Sequence, residues 1–244
     1  MRGQSPMLES TTPNRRHFRL VPVVLVLALL STACNYLDWG PGGPERPWWC
    51  DPTDTEVNDG HGGGAHGGHH FPYTEPKGPL TAGNCLVTDY MIEQALPLAE
   101  QFPTAGDAED NGWFQLAPWI PGQGTHHLDL SYGIPSQFDW TRPTMLMYDS
   151  NSRSGQLTGM VWAVASGMHP PAGFPGDNDH WHAHQALCFR NGTIIGDGLT
   201  DAECAALGGN NVDSSGIWLL HVWLPVYDGW LATDIFNKEH PSIN

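Results

Sequence analysis

Apolar and polar positions alternate in short runs through the second half of the chain. Six runs, 126–132, 144–148, 157–165, 181–189, 217–224 and 232–236, are rich in Leu, Val, Ile, Met, Thr and Trp, and each is bounded by Gly, Pro, Asp or Asn. Such runs predict strands. Ahead of them, 86–102 sets Met91, Ile92, Ala95, Leu96, Ala99 and Phe102 at spacings of one, three and four, with Asp89, Glu93 and Glu100 polar between them. That spacing predicts one long helix, capped by Thr88 or Asp89 and bent at Pro97. The stretch 103–124 reads as a loop anchored by Trp113, Phe114 and Trp119, and 149–155 as the loop of a hairpin. Thr200 and Glu203 have the spacing of a capping box and Gly208 supplies a stop, which predicts a short helix between the fourth and fifth strands. The order gives an α+β fold: a mainly antiparallel β-sheet, curved towards a barrel, with one long N-terminal helix packed on it. This single globular domain spans 81–244.

The first eighty residues have a different pattern. Arg15, Arg16 and Phe18 precede an apolar run over 20–30, which Cys34 follows shortly after. The run is too short to cross a membrane, which takes about twenty residues. Residues 1–34 resemble a bacterial lipoprotein signal peptide of twin-arginine type, with Cys34 as the lipidated residue. Ser31 stands where such signals usually carry Leu, and general secretory export is the alternative route. An exported chain lipid-anchored on the outer face of the cell membrane follows. Residues 35–80, rich in Gly, Pro, Asp and His without a sustained apolar period, read as a flexible linker. Within it His61, His66, His69 and His70 lie in a glycine tract suited to loose metal binding or to nothing more than spacing.

Charge narrows the partners. The whole chain carries −16, and from Cys34 onward six Lys and Arg face 25 Asp and Glu. Such a surface repels phosphate backbones, so no nucleic acid is expected as a partner; it favours cations, or serves only to keep an exported protein soluble. With Cys34 assigned to lipid, four of the five cysteines remain. In an oxidising compartment they form two disulfides in one of three pairings. Cys188 with Cys204 and Cys50 with Cys85 each close a short loop and are the expected pairs. A metal-ligating thiol at Cys188 is the alternative.

The chemistry rests on histidine. In an extended strand His180, His182 and His184 project from one face, which gathers three imidazoles on one side. His221 sits in a strand apolar on both faces, where a buried imidazole must be hydrogen-bonded or metal-bound. His126 and His127 point to opposite faces, so one of them alone serves an interior site; His127 is the expected reserve ligand, with Asp129 at the right parity to orient it. Asp177, Asn178 and Asp179 read first as a turn, and the two aspartates as ligands or a general base only second. No serine elbow, phosphate loop, dinucleotide fingerprint or His-Glu-x-x-His helix is present. The His-x-His pair invites comparison with cupins, but 186–189 lacks their following glutamate.

His126 with His127, the run 142–148, Trp181, His184, Leu187 and Cys188, the run 218–223, and Phe236 to Pro241 together resemble a family of uncharacterised secreted bacterial proteins over about 85–244. The resemblance implies an exported domain with histidines central to its pattern, and carries no activity. The reading that results is a cell-envelope lipoprotein binding a divalent transition metal, zinc or copper, through His180, His182, His184 and His221, with His127 in reserve. Two alternatives stay open: a metal-dependent hydrolase or oxygenase outside the cytoplasm, and a structural or partner-binding envelope protein without metal.

Overall fold

The computed structural model describes residues 81–176, 179–224, 239 and 243, all within the second of the chain's two compact units, Arg46–Asn244. The signal segment expected at 1–34, the linker expected at 35–80 with its histidine tract, Cys50, Asp177, Asn178 and the strand expected at 232–236 lie outside the described residues. Among the described residues no helix is long and apolar enough to cross a membrane.

Helix α1, Ala82–Ala99, begins four residues before the expected start. Thr81 caps it, its hydroxyl accepting the Asn84 amide at 3.3 Å. Cys85, Thr88, Ile92, Ala95 and Ala99 form its buried stripe, at the alternating three- and four-residue spacing of one helix face. The expected loop at 103–124 is instead helix α2, Ala105–Asp110, and strand β1, Trp113–Ile120. Thr104 and Asp107 cap α2 reciprocally, a box in which aspartate replaces the usual glutamate. Strand β1 was hidden by Pro118, which a strand tolerates at a sheet edge, where β1 lies.

Strands β2, Gly124–Asp129; β3, Met145–Tyr148; β4, Leu157–Val164; β5, His182–Ala183; and β9, Trp218–Trp223, complete an antiparallel sheet in the order β1-β2-β3-β4-β9-β5. The sheet curls into a half-barrel. A second antiparallel sheet holds β6, Ala186–Arg190, between β7, Thr193–Asp197, and β8, Asn210–Asp213. The expected strand at 181–189 is therefore two strands, because the chain passes from one sheet to the other at His184 and Gln185. Strand β6 continues from the β5 edge of the half-barrel while β7 lies against β1, the opposite edge. The small sheet thus spans the open side.

Between β7 and β8 runs helix α3, Asp201–Ala206, with both halves of the Thr200 and Glu203 capping box formed. The Cys188–Cys204 disulfide ties α3 to β6. Cys188 is therefore not a thiol ligand. Cys85 is also disulfide-bonded, and its expected partner Cys50 is outside the described residues.

Strand parity divides the core. On the convex face Leu146, Tyr148, Met160, Trp162, Leu220 and Val222 are fully buried or nearly so. Each large apolar side chain among them contributes about 1.5–3 kcal/mol on burial. Trp162 meets Phe138 and Phe174 at ring separations of 6.1 and 5.3 Å and donates Nε1–H to the Asp139 carbonyl at 2.8 Å. The concave face carries Met145, Met147, Val161, Ala163 and Trp223 with Leu128 and Leu219, and it also carries the histidines.

Candidate metal centre

Register puts His126 and His221 on the same concave face. His126 pairs with Met147, Met147 with Gly159 and Gly159 with Trp223; one rung away Leu128, Met145, Val161 and His221 align. Three strand-to-strand steps separate β2 from β9, about 14 Å in a flat sheet. Yet the two ring centroids are 5.3 Å apart and the two Nε2 atoms 3.4 Å. Only the curl brings them together. Register irregularities help to bend the sheet, two in the β1–β2 pair and one between Met147 and Tyr148 against β4. Gly159 matters for the same reason: a Cβ there would strike the Met147 methyl group and meet the Val222 carbonyl at 2.9 Å.

His182 joins from β5. It stands opposite Leu219 in the ladder, on the concave face and diagonal to His221, with ring centroids 5.0 Å apart. His184 follows at 5.5 Å from His182. Its Nδ1 is 2.8 Å from the Asp197 carboxylate on β7, and an Nδ1–H donating there would put the ring's lone pair on Nε2. The Ser214 hydroxyl donates to the His184 carbonyl at 2.9 Å and fixes the backbone where the chain changes sheets.

Four imidazoles therefore cluster: His126, His182, His184 and His221. His126 titrates well below 6.5, first because it is buried and then because protonated His221, His184 and His127 would repel its charge. A neutral imidazole is the form that binds metal. Its Nδ1 is buried with no hydrogen-bond partner among the described residues, which costs about 1–3 kcal/mol unless something else engages the ring. Among the described residues no three or more His, Cys, Asp or Glu side chains are already set to hold a metal ion. The rings meet at tilted or edge-on angles, 47° for His126 with His221, 78° for His182 with His221 and 82° for His182 with His184.

Of the two neighbours it is His126, and not the expected His127, that shares the concave face with His221. His127 falls on the convex face, where its Nε2 lies 3.2 Å from the Thr125 hydroxyl and its ring packs edge-on to Tyr148 at 4.9 Å. Burial pushes its titration down to about 4. Asp129 does not orient it. That carboxylate accepts the Ser131 amide at 2.8 Å and the Arg142 guanidinium at 3.1 Å. Burial alone would raise its titration, but these bonds lower it overall. His180 is buried just before β5, with its carbonyl 3.4 Å from His182 Nδ1. Parity placed it with the other two, but the regular strand begins only at His182.

A cavity of about 490 Å³ opens between the two sheets. His126, His184 and His221 line it together with Asp197 and Ser214, and the rest of its wall is largely aliphatic. Asp197 carried no signal in the sequence, since it stands between Gly196 and Gly198 like any turn residue. Comparison with known proteins finds no matching family model, no similar curated protein and no similar solved structure. The functional reading therefore rests on the residues.

Proposed function

We propose that the domain binds one divalent transition metal, zinc or copper, through His126, His221 and His182, with His184 completing the set and Asp197 orienting it. One observation carries the reading, the 3.4 Å between the Nε2 atoms of His126 and His221. Nitrogen ligands about 2.0–2.1 Å from a tetrahedral ion stand about 3.3–3.4 Å from one another. A hydrogen bond between two neutral imidazoles accounts for one such contact but not for two further rings beside it. Metal handling at the cell envelope fits a chain exported and lipid-anchored at Cys34, with the glycine-borne histidines at 61–70 gathering ions for the site. The domain itself is read as α+β, with α1 packed on the sheet through its Cys85 to Ala99 stripe. Cobalt substitution tests the site. Intense visible absorption of tetrahedral cobalt supports it, and the weak spectrum of the hexaaquo ion alone contradicts it.

A second reading, a metal-dependent hydrolase or oxygenase, is favoured by the cavity that opens directly onto the histidines. A catalytic ion keeps a coordination position for water or substrate. Azide added to the cobalt form separates the two: a shifted spectrum means an open position, and an unchanged one a closed binding site.

A further inference from the structure

The cavity has a chemistry of its own. Leu116 and Ile120 come from the half-barrel, and Leu187, Ile194 and Val212 from the small sheet, so two independent sheets contribute one aliphatic lining. His126, His184 and His221 enter the same space. A volume of about 490 Å³ lies in the range of small-molecule sites, which combine apolar walls with a few convergent polar groups. The carboxylates on the lining, Asp197 and Glu239, would repel an anion unless a cation stood between.

We propose that the cavity takes an amphiphile, an aliphatic chain ending in a carboxylate, with its tail along the Leu116, Leu187 and Ile194 wall and its head on the metal held by the histidines. The assignment rests on the metal reading above, because only a bound dication makes a carboxylate welcome beside Asp197. The metal supplies the positive charge that the carboxylate head meets. Tail length is limited by the cavity, so affinity rises with each methylene until the space is filled. Burial of one methylene strengthens binding about fourfold.

The test is calorimetric titration of the full mature chain, zinc-loaded and zinc-free, with butanoate, hexanoate, octanoate and decanoate. The expected result is affinity rising about fourfold per methylene and then levelling, with at least about tenfold loss in the zinc-free protein. Ile194→Asp should abolish the dependence on tail length while zinc uptake persists; if that variant misfolds, the chain-length series on the wild type still decides. Zinc uptake without carboxylate binding overturns this inference and leaves the metal reading intact. Absence of zinc uptake overturns both. Binding that ignores tail length, that is equal without zinc, or that is matched by octylamine also overturns it.

Discussion

His126 and His221 bring their Nε2 atoms to 3.4 Å although three strand-to-strand steps lie between their strands. The half-barrel is what makes them neighbours, so the site and the curvature of the sheet are one property of the fold. Gly159, on the rung of His126, leaves the space that Met147 and Trp223 occupy. Changing Gly159→Val should therefore lower stability and separate the rings together. The check is a parallel fall in the urea midpoint and in zinc affinity; loss of neither would contradict the role given to this position.

Asp197 holds His184 by its carboxylate. Replacing it by Asn keeps the shape but removes the charge that fixes the imidazole tautomer through the 2.8 Å contact. Zinc affinity should fall about 10–100-fold, as it does when such outer partners are lost. Competition with a chelating dye measures it. Asp129→Asn, which weakens the Arg142 pair on the other side of the sheet, should leave zinc affinity unchanged.

The metal-free protein should lose stability in mild acid. His127 is held down to about 4 by burial, whereas in the unfolded chain histidine titrates near 6.5. Between those values the unfolded chain binds a proton that the folded protein refuses. The stability contribution is therefore complete above about pH 6.5 and declines as pH falls through the window towards about 4. Urea midpoints at pH 7, 6 and 5 should descend in order, and His126, also lowered by burial, adds in the same direction. A flat profile would mean that His127 is not buried as described.

Removing the Cys188–Cys204 bond should cost about 3 kcal/mol, the loop-closure value for cysteines 16 residues apart. The double alanine variant tests this by urea unfolding. Amide exchange should show the loss first in α3, which the disulfide ties to β6.

Much of this architecture was legible in the sequence, and the failures have physical causes. The apolar runs at 144–148, 157–165 and 217–224 became β3, β4 and β9, the strands buried on both faces, where every position favours the same reading. The capping box at Thr200 and the short loop between Cys188 and Cys204 are local features, and both formed. Edge strands escaped: β1 carries Pro118, β7 is half-buried and contains Gly196, and β8 is largely exposed and contains Asn210 and Asn211, which break the period. Parity stated that one of His126 and His127 faces inward. Which one depends on the register of β2 against β3 and on the direction of curl, and neither is written in local pattern. The meeting of β2 with β9 and the Asp197 partner are products of closure over long separations in the chain, beyond the reach of any window of sequence.

The most direct measurement is metal content of the untagged chain, with His61, His66, His69 and His70 changed to serine so that the glycine tract contributes nothing. Inductively coupled plasma analysis after zinc loading and gel filtration should find about one ion per chain in this background. His126→Ala and His221→Ala should each abolish it, while His127→Gln, judged folded by circular dichroism, should retain it. Absence of zinc in the background protein, or retention in His126→Ala with loss in His127→Gln, would contradict the centre described.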